Sequence, residues 1–152
     1  MTEDGSRYNF DGLVVFDLAN NHQGDIDHGC RIIRAMGEQA AKHGVKAAMK
    51  FQFRQLDTFI HKAHLDGSSN KHVSRFLSTR LDLDGVQKLF DEVKAAGLLS
   101  MCTPFDEESV DVIQDMGFDI LKIASCSAAD WPLLEKATGT GLPIVCSTGG
   151  LD

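Results

Sequence analysis

Short apolar runs alternate along this chain with longer stretches in which apolar positions recur every three or four residues. The runs are Leu13-Val14-Val15-Phe16, Ala47-Ala48-Met49, Leu98-Leu99-Ser100-Met101-Cys102, Ile120-Leu121-Lys122-Ile123-Ala124 and Ile144-Val145-Cys146. Most are apolar at successive positions, as strands covered on both faces must be. The stretches between them read as helices. Ile26, Cys30, Ile33, Met36 and Ala40 share one face of a helix over 26–43, and Gly44 stops it. Asp84 is placed to cap a second helix carrying Val86, Leu89, Phe90 and Val93, with Gly97 after it. A third covers 106–116, with Asp106, Glu107 and Glu108 in the first turn, where the dipole favours acids, and Gly117 at its end. Pro132 lies near the start of a fourth over 133–138, before the break Gly139-Thr140-Gly141.

This order predicts an α/β domain with a parallel sheet and right-handed crossovers, either a (β/α)₈ barrel or a doubly wound sheet. The stretch 53–82 is too long for a plain strand-to-helix connection, and long connections of this kind are functional or mobile. Nothing repeats at a solenoid period, and no segment is of low complexity.

Polar side chains gather where each strand should end. Strand one runs into Asp17 and then Asn20-Asn21-His22; strand two into Lys50-Phe51-Gln52; strand three into Thr103; strand four into Ser125; strand five into Ser147-Thr148-Gly149-Gly150. Sites in parallel α/β folds form at the carboxyl ends of the strands, so these groups should converge on one mouth. Lys50 and Gln52 are two apart on extended chain and share a face. Lys122 lies between Leu121 and Ile123, where an unpaired ammonium is costly unless an anion meets it. Two lysines with the hydroxyls of Thr103, Ser125 and Ser147 make a cradle for phosphate or carboxylate. The plainer alternative pairs a strand-end lysine with an internal carboxylate, and Asp17 is the candidate. His22 is either a catalytic group or a structural hydrogen-bonding histidine. His61, His64 and His72 fall in the long connection at spacings that suit no tight metal site, and read as solvent-exposed.

The net charge of −7 argues against nucleic acid as a partner, because phosphate neutralisation needs clustered Lys and Arg. No apolar run reaches the ~18–20 residues of a membrane span, and Met1-Thr2-Glu3-Asp4-Gly5 lacks the basic and apolar regions of a secretory signal. The four cysteines, Cys30, Cys102, Cys126 and Cys146, form no CxxC pair and read as buried reduced thiols of a cytoplasmic protein.

The strand-end motifs also occur together elsewhere. Asn20-Asn21-His22-Gln23-Gly24-Asp25, Lys50-Phe51-Gln52, Thr103-Pro104-Phe105-Asp106, Lys122-Ile123-Ala124-Ser125 and Ser147-Thr148-Gly149 stand in the order and spacing of the sialic acid synthase family. Over about 13–150 the chain resembles the N-terminal TIM barrel of those enzymes. The resemblance implies condensation of phosphoenolpyruvate with an N-acetylated hexosamine such as N-acetylmannosamine, giving a nonulosonic acid and phosphate. It implies that Lys50, Thr103, Lys122, Ser125 and Ser147 hold phosphoenolpyruvate. It also implies a divalent metal, Mn²⁺ or Mg²⁺, that polarises the sugar aldehyde, and a homodimer or higher association.

The chain departs from the family pattern at two acids. Asp17, a catalytic candidate with His22, stands where the family has Glu, which withdraws the carboxylate by more than about an ångström, enough to impair positioning of the sugar. Ser127 stands where a second Glu follows the Lys-Ile-Ala-Ser motif. The family's metal-binding histidines come from later strands, and its antifreeze-like domain follows the barrel. The expectation is therefore that residues 1–152 form the first five strands and intervening helices of a barrel, a partial barrel inactive alone. The alternatives are a non-catalytic half-barrel that binds a phosphorylated metabolite or serves in assembly, and an aldolase forming a Schiff base on Lys122.

Overall fold

A computed structural model describes residues 8–65 and 69–150. Five strands, β1 (Val14–Asp17), β2 (Ala47–Phe53), β3 (Leu99–Pro104), β4 (Ile120–Ile123) and β5 (Ile144–Cys146), alternate with helices α1 (Ile26–His43), α2 (Leu56–Phe59), α3 (Lys71–Ser78), α4 (Leu83–Ala95), α5 (Glu107–Asp115) and α6 (Trp131–Gly139). The strands form one parallel sheet in the order β1-β2-β3-β4-β5. Spatial order follows chain order, so every crossover steps the same way around. A doubly wound sheet would reverse direction partway. The fold is a partial (β/α) barrel of TIM type.

The two faces of the sheet bury different things. Met49, Phe51, Cys102, Leu121 and Ile123 pack outward against Ile33, Leu89, Val93, Ile113 and Phe118. Ala48, Met101 and Ile120 face the other way, into a smaller cluster with Leu13, Leu99 and Val145. The three central strands are thus covered on both sides, as their unbroken apolar runs predict. The outer strands are not. Val14 and Val15 are 39% and 41% exposed, because an edge strand has a neighbour on one side only.

Helix starts follow side-chain chemistry. Asp25, Asp82, Asp106 and Asp130 each accept a hydrogen bond from a backbone N–H of the first turn. Asp82, not Asp84, caps α4: its extended backbone lets Oδ1 reach the N–H of Gly85 at 2.8 Å, while Asp84 sits inside the first turn. Asp106 is likewise the cap of α5 rather than its first residue. Helices α1 and α4 approach closely because both contacts on α1 are glycine. A Cβ on Gly29 would stand 2.7 Å from Leu89 Cδ2, and one on Gly37 2.8 Å from Ala96 Cβ.

The stretch 53–82 is built rather than loose, with α2, a 3₁₀ turn at Lys62–His64 and α3. Arg80 grips Asp57 with two hydrogen bonds of 2.8 and 2.7 Å, and Phe59 meets Phe76 edge-on at 6.3 Å. His61, His64 and His72 are exposed, as expected. At the opposite end of the sheet Asp119 accepts from the N–H and hydroxyl of Ser100 and from Lys94 Nζ, each at 2.7 Å. Burial alone would raise its carboxyl, but these donors outweigh it and hold the pKa below the usual aspartate value.

The cysteines are free, but only Cys102 is fully buried; Cys30 is partly covered, and Cys126 and Cys146 are exposed beside the strand ends of the half-barrel. Among the described residues no helix is long and apolar enough to cross a membrane.

Candidate functional site

In a parallel sheet, residues in register point to the same side and every second residue returns to it. Asp17 is in register with Lys50, Lys50 with Met101, Gln52 with Thr103 and Lys122 with Val145. Lys122 follows Leu121, which pairs with Cys102, and so stands level with Thr103. Asp17, Lys50, Gln52, Thr103, Lys122 and Ser147 therefore share the inner face at the carboxyl ends of the strands. The helices cover the other face.

Lys122 Nζ donates to Ser147 Oγ and to the carbonyl of Ile123, both at 2.6 Å. Among the described residues it has no carboxylate within ion-pair distance. Burial, and after it the charge of Lys50, pull its pKa below the usual lysine value, so the two ammonium groups feel each other across one space. Level with Lys122, the hydroxyl of Thr103 is buried and has no hydrogen-bond partner. Lys50, by contrast, is paired: its Nζ lies 2.9 Å from Asp17 Oδ2, with the lysine side chain 15% and the aspartate 52% exposed. The internal-carboxylate alternative thus holds for Lys50 and not for Lys122.

Ser125 leaves β4 and opens the 3₁₀ turn Ser125–Ser127, exposed. Its Cβ is 3.8 Å from where a Cβ on Gly149 would stand, so it lies against the turn that follows Ser147. Ser127 is buried, its Oγ 3.9 Å from Cys126 Sγ.

His22 belongs to a neighbouring feature. A cleft of about 520 Å³ separates the β1–α1 connection from the stretch 53–82; Gln52 lines it, and neither lysine does. His22 is buried on its wall, and Nδ1 accepts the N–H of Gly24 at 3.1 Å. Burial, then the charge of His28, lower its pKa, which leaves a neutral ring with its proton on Nε2. The structural role of His22 is therefore present, and the residue lines the cleft, which neither lysine does. Also on this cleft stands Arg54, a residue the motif reading missed. Its signal was available: Lys50, Gln52 and Arg54 continue one period-two row past the point where the apolar run stops.

Among the described residues no three histidines, cysteines, aspartates or glutamates converge as a metal centre. Asp17 is engaged by Lys50 and His22 Nδ1 by Gly24. These residues do not fit a divalent-metal site by themselves.

The pairing of Lys50 makes a prediction. Asp17→Asn removes a competing carboxylate from an ammonium that an anionic ligand would share. Partly exposed ion pairs are worth roughly 0.2–1 kcal/mol, so affinity for a small anion such as inorganic phosphate should rise about 1.4- to 5-fold, measured by calorimetry at low salt.

Comparison with known proteins agrees with this fold. The chain is 27% identical over 148 residues to the N,N'-diacetyllegionaminic acid synthase of Legionella pneumophila, covering 92% of this chain and 40% of that protein. It superposes with a TM-score of 0.89 and 47% identity on a Chromobacterium violaceum structure provisionally named spore coat polysaccharide biosynthesis protein E, covering 93% of this chain and 42% of the other. It superposes with a TM-score of 0.74 and 25% identity on an N-acetylneuraminic acid synthetase from Leptospira borgpetersenii solved with citrate, covering 93% and 45%. The chain thus spans roughly two fifths of the length of these proteins. The NeuB family profile matches residues 36–152, and the chain belongs to the NeuB family.

Proposed function

We propose that this chain carries the phosphoenolpyruvate-binding part of a synthase that condenses phosphoenolpyruvate with an N-acylated aldose, giving a nonulosonic acid and inorganic phosphate. The observation behind the reading is Lys122: an ammonium inside an apolar strand, without a carboxylate, beside an orphaned hydroxyl and within the field of a second lysine. A small acid with several negative charges meets all three needs at once.

In the proposed reaction C3 of phosphoenolpyruvate attacks the aldehyde carbon and forms the new C–C bond. The carbonyl electron pair goes to the aldehyde oxygen. The oxygen of water adds at C2, the C2–O bond breaks, and phosphate leaves with the bridging oxygen. The two protons of water end on the new hydroxyl and on phosphate. Lys50 and Lys122 hold the phosphate and carboxylate, and Thr103, Ser125 and Ser147 supply hydroxyls to the remaining oxygens. Fixed cations of this kind stabilise the departing phosphate without reorganising. The Mn²⁺ or Mg²⁺ of the family would take its ligands from outside these residues. Chemistry on phosphoenolpyruvate and a free sugar belongs to the cytoplasm, and the exposed strand edges favour association with a second copy.

The test is calorimetry of this chain with phosphoenolpyruvate. Saturable one-to-one binding, absent with pyruvate, is the expected result, and the chain alone should bind without turnover. No binding at millimolar ligand would sink the reading. A non-catalytic binding module is the second reading, favoured by Asp17 being engaged with Lys50 and by the buried Ser127. Turnover in the whole protein excludes it.

A further inference from the structure

Arg54 differs in its partners from Arg34 and Arg80. Arg34 and Arg80 each hold a carboxylate through two hydrogen bonds, those of Glu92 and Asp57. Among the described residues Arg54 has no carboxylate in ion-pair reach. Aromatic rings hold it instead: its guanidinium carbon stands 3.9 Å from the ring centre of Phe105, 4.4 Å from Phe76 and 5.8 Å from Phe59. Such stacking fixes the plane of the guanidinium and strips water from its faces. Nη2 donates to Gln52 Oε1 at 3.2 Å, while Nε is buried with no partner. The nearby Asp106 is already committed, accepting from Gln55 and Ser109. Burial lowers the pKa of Arg54, yet a guanidinium stays charged at any physiological pH. A half-buried, oriented cation with a buried, unused donor is costly to keep, and an acceptor bound in the cleft would relieve it.

The rest of the cleft is biased the same way. Gln52 has its carbonyl oxygen engaged by Arg54, so it offers its NH₂. His22, accepting at Nδ1, offers Nε2–H. Asp82 is the only carboxylate among the described lining residues, and it caps α4. The cleft therefore presents donors to an oxygen-rich guest, and its volume suits a small-molecule ligand.

Resting on the reading in which Lys50 and Lys122 hold phosphoenolpyruvate, we infer that this adjoining cleft takes the second substrate and that Arg54 selects one bearing an anionic group, a phosphate monoester or a carboxylate, over a neutral sugar.

The test titrates the full chain, saturated with phosphoenolpyruvate, with N-acetylmannosamine, with its 6-phosphate and with the corresponding 6-uronate. Phosphoenolpyruvate affinity is measured separately for each protein. At least one charged sugar should bind ten or more times tighter than the neutral one, and which of the two does so identifies the anion. Arg54→Gln should abolish that preference and Arg54→Lys should keep part of it, both with unchanged phosphoenolpyruvate affinity. A purely structural arginine would leave the charge preference in place. Equal affinity for neutral and charged sugars, preference retained in Arg54→Gln, or binding of phosphoenolpyruvate with no binding of any sugar overturns this inference and leaves the synthase reading standing. Loss of phosphoenolpyruvate affinity in Arg54→Gln, with the Arg54→Lys protein folded and impaired alike, overturns it too, by assigning Arg54 to the lysine site. Failure of the wild-type chain to bind phosphoenolpyruvate overturns both.

Discussion

Lys122→Met should weaken phosphoenolpyruvate binding by about 100-fold, while Lys50→Met should weaken it by about tenfold. A hydrogen bond to a charged group is worth roughly 1.5–3 kcal/mol, and the upper part of that range corresponds to two decades in affinity. The difference between the two lysines follows from their partners. Lys50 already shares its charge with Asp17 at 2.9 Å, so an incoming anion gains only part of it. Lys122 donates to neutral oxygens, those of Ser147 and the Ile123 carbonyl, and its charge is fully available. Methionine keeps the apolar stem and removes the ammonium. Since burial and Lys50 both disfavour the charge of Lys122, the empty protein should lose no thermal stability and can gain some. Calorimetry and a melting curve on the same sample separate the two effects. Unchanged affinity in Lys122→Met would remove the basis of the proposed function.

The sheet was legible in the sequence because burial on both faces leaves a mark: Ala47-Ala48-Met49 and Ile120-Leu121 have no polar interruption, and each stretch between strands ends in a glycine or begins with an acid. The same logic exposed Lys122, a charge where the pattern allows none. It failed where the cause was not periodic. Nothing in the row of apolar residues distinguishes Asp82 from Asp84 as a cap, since the choice depends on which backbone turns extended. The edge strands read as buried because their side chains are as apolar as those of β2, and exposure there comes from position in the sheet rather than composition. Most of 53–82 read as a loop because α2 and α3 are too short to show a period, and Arg54 went unnoticed because three phenylalanines from 59, 76 and 105 meet around it only in space. The pairing of Asp17 with Lys50 was foreseeable as one of two outcomes, while the freedom of Lys122 needed coordinates.

Phe118→Ala should destabilise the fold by about 3–5 kcal/mol, the usual cost of emptying a buried aromatic site. Phe118 is 2% exposed and follows Gly117, whose positive φ of 77° turns the chain out of α5 and into β4. Its ring meets Phe51 edge-on at 5.6 Å and Phe90 at 4.9 Å, which ties β2 to α4 from behind the sheet. Domains of ordinary stability hold only about 5–15 kcal/mol in total, so the loss should show as a large fall in urea midpoint. Phe118→Leu keeps most of the volume and is expected to cost under about 1.5 kcal/mol. The binding site should register the change as well. Phe51 lies between Lys50 and Gln52 on the strand, so the anchor for the inner-face groups is the outward side chain that Phe118 holds. In conditions where Phe118→Ala remains folded, its phosphoenolpyruvate affinity should drop severalfold while that of Phe118→Leu does not. An alanine variant with the midpoint of the wild type would show that the aromatic layer behind β2 contributes little to holding Lys50 in place.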